Sequence, residues 1–216
     1  MDLSYPISQD VHIAFSTPYL ISRIPDFEKV NSGLIKQVLA ARDRDVGENV
    51  SNIGGWHSSP TLWDWKTEEI ATFRKWVHIC LLKMGALSTK ETDLKKVEVE
   101  YAAAAWANVN TNGHYNEAHI HPECDWSCVY YASSGHPDPG WNRNGLFELR
   151  DPRSLAYSSK LQNYGFGRSL VIDPEPGKII LFPAWMEHLV HPFYGKGERI
   201  SIAVNIKNTG GRHSGL

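Results

Sequence analysis

Two histidine pairs stand out among the ten histidines of this 216-residue chain: His119 and His121 in NEAHIHP (116–122), and His188 and His191 in MEHLVHP (186–192). Residues two apart on an extended strand face the same way, so the imidazoles of His119 and His121 can converge on one point. Such a pair, joined by one distant histidine, is how a barrel builds a facial metal site with open positions. The common form has two histidines and a carboxylate, with the carboxylate two residues after the first histidine; here that position is His121. Pro122 ends the strand directly after the pair and sets it at a rim where a ligand can enter. Taken alone, a His-x-His pair is more often a polar face or two satisfied core histidines, so its weight comes from what surrounds His188. His191, three residues further on, faces the other side of a strand and is left out of the set.

A second signature lies eleven residues past His188, in GERISIAVN (197–205). On a strand, Arg199, Ser201, Ala203 and Asn205 share one face, and Ile200, Ile202 and Val204 the other. An arginine turned inward among small residues needs a counter-charge, because an unpaired buried cation is costly. Two sources are open. A dicarboxylate ligand would be gripped bidentately by the guanidinium, with the Ser201 hydroxyl adding a hydrogen bond. The alternative is a structural salt bridge to Glu187 or Glu198.

The elements that must position these residues change character near residue 94. Before it, Phe27 to Arg44 carries Val30, Leu34, Ile35, Val38 and Leu39 on one helical stripe. Asp64 to Met84 carries Ile70, Phe73, Val77, Cys80, Leu81 and Met84 on another, with acids near its start and Gly85 after its end. Ser51 to Pro60 reads as a loop. After residue 94, Val97–Asn110, Trp126–Ala132, Leu146–Leu149, Leu170–Ile172, Ile179–Phe182 and Arg199–Asn205 read as strands bounded by Gly, Pro or Asn. Many short strands predict a mainly β sandwich or jelly-roll barrel with the two helices packed outside. Ser133 to Asn144 reads as a surface loop over the barrel mouth.

Composition is that of an ordinary globular protein, with 42% hydrophobic and 21% charged residues, and the expectation is a single domain over 1–216, helical to about residue 93 and β from about 94 to 207. The formal net charge of −2 gives no electrostatic case for nucleic acid or an anionic membrane. Cys80, Cys124 and Cys128 are an odd number without CxxC spacing, which argues against a disulfide framework or a zinc ribbon. The sequence MDLSYPISQD lacks the pattern of a signal peptide, and no apolar run reaches 18 residues; the expected location is the cytoplasm. Trp56, Trp63, Trp126, Trp141 and Trp185 would suit an apolar pocket, although each alone is as well explained by core or loop packing.

Several blocks together carry a family resemblance. WANVNTNGHYNEAHIHP (106–122), SCVYY (127–131), DPR (151–153), LFPAWMEHLV (181–190) and RISIAVN (199–205) resemble the small microbial and phage proteins grouped as 2-oxoglutarate/iron(II) oxygenases. Upstream, FSTP (15–18), the helix around Val30–Asn31 and SNIGGWHS (51–58) resemble them too. The likeness runs over roughly residues 12–207 and keeps the order of the blocks.

That resemblance implies a double-stranded β-helix (jelly-roll, cupin-like) and an oxidoreductase, most often a hydroxylase. It would use iron(II), 2-oxoglutarate and dioxygen to oxidise a small organic substrate, giving succinate and carbon dioxide. By position, His119 and His188 are metal ligands and His121 occupies the third-ligand place. Arg199 with Ser201 holds the distal carboxylate of 2-oxoglutarate, and Asn108, Asn110 and Tyr131 are candidates for contacts near that co-substrate. Glu123 or Asp125 could instead bend back as the third ligand, leaving His121 beside the metal sphere. Cys128 stands where the family pattern has glycine. Two other classes stay open: a cupin-like three-histidine dioxygenase that does not use 2-oxoglutarate, and a non-enzymatic β-sandwich binding module. A homodimer through an exposed edge strand is a further expectation. The substrate itself is not legible, since specificity would lie in loops such as Ser133–Asn144 and Ser154–Arg168.

Overall fold

The computed structural model describes residues 16–153 and 169–210; the expected loop at Ser154–Arg168 lies outside the described residues. Within them the chain runs β1 (Leu20–Arg23), α1 (Glu28–Arg42), β2 (Asn52–Ile53), β3 (Trp56–His57), α2 (Glu68–Thr89), β4 (Glu100–Asn110) and β5 (Tyr115–His119). It continues with β6 (Trp126–Pro137), β7 (Phe147–Leu149), β8 (Leu170–Ile172), β9 (Lys178–Pro183), β10 (His188–Val190) and β11 (Gly195–Gly210). Two antiparallel sheets result, of six strands in the order β1-β9-β6-β11-β4-β3 and of five in the order β2-β5-β10-β7-β8. This is the mainly β, double-stranded β-helix architecture that the sequence predicts.

The period-2 alternation of the long strands divides the six-stranded sheet into two faces. Outward, Ala105, Ala107 and Val109 of β4, Cys128, Tyr130 and Ala132 of β6, and Ile200, Ile202, Val204 and Ile206 of β11 join Leu34 and Val38 of α1 and Ile70, Phe73, Val77 and Leu81 of α2 in one core. Inward, Val129 and Tyr131 of β6 and Ile180 and Phe182 of β9 meet Phe147 and Leu149 of β7 in a second, smaller cluster between the sheets. The β11–β4 register, Arg199↔Asn110, Ser201↔Asn108 and Ala203↔Trp106, carries the inward residues of both strands onto one surface.

The helices are fixed by side chains on this outer core. Asn31 of α1 donates from Nδ2 to the Ala132 carbonyl at 2.9 Å, and its Oδ1 accepts from the Tyr130 hydroxyl. Thr67 caps α2, accepting from the Ile70 amide at 3.3 Å, while Glu68 and Glu69 complement the positive end of the helix. Gly85, expected just past the end, lies inside α2: a Cβ there would sit 2.8 Å from Val97 Cγ1, so this glycine serves close packing rather than termination. The helix stops four residues on, with Lys90 left-handed at φ 56°.

Two loop expectations and one strand boundary are corrected. Within Ser51–Pro60, Asn52–Ile53 and Trp56–His57 form β2 and β3 on opposite sheets, too short for periodicity to register. Ser133–Pro137 continues β6 through a register shift against β11, so the loop is shorter than Ser133–Asn144. Strand β11 extends well beyond Arg199–Asn205, its polar flanks held by pairing with β4 and β6. No helix among the described residues is long and apolar enough to cross a membrane, and Cys80, Cys124 and Cys128 are unbridged.

Candidate active site

His119 closes β5 and His188 opens β10, and the antiparallel register sets them directly opposite each other. Their ring centroids are 4.3 Å apart. His121 lies just past the strand, held by its amide donating 3.0 Å to the Ala184 carbonyl, with its ring 5.1 Å from that of His119 and 5.0 Å from that of His188. One ligand nitrogen from each of the three lies within 4.8 Å of the others, a cluster that could hold a metal ion. The Nε2 atoms of His121 and His188 are 3.2 Å apart. Two nitrogens each about 2.1 Å from a common ion, at angles near 90–110°, stand about 3.0–3.4 Å apart.

Tautomers are set by the backbone. His188 Nδ1 lies 3.0 Å from the Met186 carbonyl and His119 Nδ1 2.6 Å from that of Glu117. A carbonyl only accepts, so both Nδ1 atoms carry hydrogen and both Nε2 atoms turn lone pairs inward. Burial, reinforced by neighbouring His119, brings His188 down to about 3 and His121 to about 4; burial also lowers His119. All three are therefore neutral near pH 7, as metal ligands must be.

The carboxylate alternatives fall away. Asp125 accepts from the Asn208 amide at 2.7 Å, and Glu123 is an exposed, left-handed turn residue at φ 65°. Among the described residues, neither belongs to the ligand cluster. His191 pairs with Glu148 at 2.6 Å, away from the three rings, as its position on the strand predicts.

The imidazoles open into a cavity of about 490 Å³ between the sheets, within the size range of small-molecule sites. Arg199 and Ser201 form part of its wall, from the opposite sheet. Arg199 is 1% exposed, its Nε donates to the Gly145 carbonyl at 3.1 Å, and Nη1 and Nη2 have no hydrogen-bond partner among the described residues. The two acids that could have neutralised it are engaged elsewhere: Glu187 with Arg150 at 2.8 Å and Glu198 with Arg42 at 3.4 Å. The guanidinium lies over the Tyr131 ring, 5.1 Å from its centroid, and the buried Tyr131 hydroxyl is likewise without a partner. Burial pulls Arg199 below its ordinary value and pushes Tyr131 up. An arginine stays protonated even so, which leaves a desolvated cation facing the cavity.

Asn108 also lines the cavity, with Oδ1 unpaired. Asn110 does not: its Nδ2 donates to Asn116 Oδ1 at 3.3 Å, and Gly55 packs so close that a Cβ there would lie 2.3 Å from Asn110 Oδ1. Position on β4 puts both asparagines on the inward face, but β3 and its preceding glycine cover the second. The tryptophan expectation also changes. Trp63 sits edge-on to Phe73 in the outer core, Trp56 donates to the Asp45 carbonyl, Trp126 packs on the outer core, Trp141 stacks on Tyr194 and Trp185 is exposed. The cavity tryptophan is Trp106, which also packs on His121 at 5.6 Å. His57, Glu48 and Phe147 line the cavity too and carry no spacing signal; only the SNIGGWHS block hinted at His57.

Two facing antiparallel sheets with histidines converging between them define the double-stranded β-helix metalloenzyme class. Residues 104–205 match the family described as "Putative 2OG-Fe(II) oxygenase". The match spans the β-core, and together with the histidine cluster it supports a 2-oxoglutarate-dependent dioxygenase that uses iron(II). Similar solved structures include a prolyl 4-hydroxylase of Pseudomonas putida, 12% identical over 90% of this chain and 95% of that one, with TM-score 0.59. HygX of Streptomyces hygroscopicus, solved with nickel and 2-oxoglutarate, is 11% identical over 89% and 84%, with TM-score 0.56. The viral collagen prolyl hydroxylase of Paramecium Bursaria Chlorella virus-1, in a 2-oxoglutarate complex, is 14% identical over 87% and 94%, with TM-score 0.55. These likenesses are of fold. No curated protein matches the chain.

Proposed function

We propose that the protein hydroxylates a C–H bond of a small organic substrate in the cytoplasm. In this reading His119, His121 and His188 hold iron(II), and Arg199 with Ser201 grips the distal carboxylate of 2-oxoglutarate. The observation that carries it is the unpaired guanidinium of Arg199. A buried cation without a counter-charge is costly, and a carboxylate accepting from Nη1 and Nη2 supplies that charge bidentately. The three unbridged cysteines suit a reducing compartment.

The residues divide the work. The three imidazoles offer neutral lone pairs, two of them oriented by backbone carbonyls. They bring no negative charge, so a dianionic co-substrate offsets the ion better here than at a site that already holds a carboxylate. Ser201 and the Tyr131 hydroxyl are donors within the same wall as Arg199, and Asn108 stands beside Ser201 across the β11–β4 register. Val129, Phe147 and Val190 give the cavity apolar walls that exclude water. Bound iron(II) with 2-oxoglutarate and dioxygen supplies the oxidising chemistry, with release of succinate and carbon dioxide.

The test is anaerobic titration of the iron(II)-loaded protein with 2-oxoglutarate, which should develop a weak visible charge-transfer band and give calorimetric binding that Arg199→Met loses. Absence of both band and binding would overturn the reading. Turnover that survives Arg199→Ala would instead point to a three-histidine dioxygenase that does not use 2-oxoglutarate.

A further inference from the structure

A further group of polar side chains lines the cavity from β3 and the turn before it. His57 of β3 pairs with Asn108 of β4, which in turn pairs with Ser201 of β11, so these side chains form one row across the inner face. His57 is 6% exposed, and its Nδ1 lies 2.7 Å from the Ser58 carbonyl. That contact fixes the hydrogen on Nδ1 and leaves Nε2 as an acceptor. Burial lowers its pKa, keeping the ring neutral near pH 7. Asn108, 7% exposed, adds an Oδ1 with no partner among the described residues.

The exposed Glu48 joins them at the cavity rim, beside His57. Its backbone is pinned to β3, the Glu48 amide donating to the His57 carbonyl at 2.8 Å. The preceding turn is held as well: Trp56 Nε1 donates to the Asp45 carbonyl at 2.9 Å, and Asp45 Oδ1 accepts from the Gly47 amide at 3.2 Å. Gly47 is left-handed at φ 76°, and a Cβ there would meet the His57 carbonyl at 2.7 Å. Among the described residues no ion pair engages Glu48, and Arg199 is the only lysine or arginine that lines the cavity. Trp106 stacks on His57, with centroids 5.4 Å apart and planes 20° apart, and also packs on His121. An aromatic floor thus runs from the acceptors to the imidazole cluster.

We propose that Glu48 and His57 form the specificity subsite for the primary substrate, and that they select a substrate carrying a protonated amine, laid against Trp106 with a C–H bond towards the three histidines. The inference rests on the placement of 2-oxoglutarate at the Arg199 end. The reasoning is complementarity: a carboxylate and an imidazole lone pair can both be satisfied by one ammonium group, which has three hydrogen bonds to donate. The adjoining indole face adds cation–π attraction. An anionic group in the same place would meet Glu48 with nothing nearby to offset the repulsion.

Calorimetry on the anaerobic protein loaded with iron(II) and 2-oxoglutarate tests this, with phenethylamine, 2-phenylethanol and 3-phenylpropionate as probes at constant ionic strength. Phenethylamine should bind at least about tenfold more tightly than either of the others, equivalent to about 1.4 kcal/mol. Glu48→Gln should erase the preference over the alcohol, and His57→Phe, which keeps a ring against Trp106, should reduce it. Equal binding of the three, a preference for the carboxylate, no binding of any, or a preference undiminished in Glu48→Gln would each overturn the proposal. Titrating the wild-type protein with 2-oxoglutarate beforehand separates the two readings: no uptake there overturns the co-substrate assignment, whereas uptake followed by indifference to the amine overturns only the subsite.

Discussion

The two faces of the six-stranded sheet are built from the same strands and obey opposite rules. On the outer face, buried polar groups find partners: Asn31 bridges the Tyr130 hydroxyl and the Ala132 carbonyl, and the rest is close-packed hydrocarbon from α1 and α2. On the inner face, Asn108 and Asn110 of β4, Ser127 and Tyr131 of β6, and Arg199 and Asn205 of β11 all hold buried polar atoms without partners among the described residues. Buried polar groups are normally satisfied, so a concentration of exceptions on one face marks where a ligand is to complete the structure. The outer face holds the fold together, and the inner face gives up some of that stability to keep a site ready.

That contrast can be broken at several points. His188→Ala should have the largest effect, abolishing iron uptake and 2-oxoglutarate turnover while far-ultraviolet circular dichroism stays that of the folded protein. Retained stoichiometric iron would break the assignment of the inner face. Arg199→Met should weaken 2-oxoglutarate binding by about 10²- to 10³-fold, some 3–4 kcal/mol. The metal-free variant should melt no lower than wild type, because a buried unpaired cation is replaced by an apolar chain; a lowered melting temperature would mean that Arg199 also holds the fold.

Outer-face changes should do the reverse. Leu34→Ala, in the outer core, should cost about 2–4 kcal/mol in denaturant unfolding, with 2-oxoglutarate affinity unchanged in the protein that remains folded. Asn31→Ala should cost about 1–3 kcal/mol, since it strands the Tyr130 hydroxyl and the Ala132 carbonyl. If either variant moved co-substrate affinity more than stability, the division between the faces would fail.

The smallest effect concerns pH. In the metal-free protein, burial holds His188 near 3 and His121 near 4, below the ordinary 6.5. The unfolded chain therefore binds more protons than the folded one between these values. This contribution to stability is whole above about pH 6.5 and is lost as pH falls towards 4 and then 3. Unfolding of the metal-free protein between pH 7.5 and 5 should show stability decreasing with acidity, and the double variant His121→Leu/His188→Leu should flatten that slope.

What the sequence determined by itself is whatever follows from local periodicity. Both helices, six of the strands and the division of residues 199–205 between two faces rest on patterns that each segment carries within itself. The spacing of His119 and His121 made them candidates on the same ground. The tertiary structure decided the rest, because the rest depends on register between segments far apart in the chain. Only the pairing of β5 with β10 sets His188 against His119 and brings His121 in as the third ring. Only the engagement of Glu187 and Glu198 elsewhere leaves Arg199 unpaired. Only the two-residue strand β3, too short to show a period, covers Asn110 and brings His57 and Glu48 to the cavity.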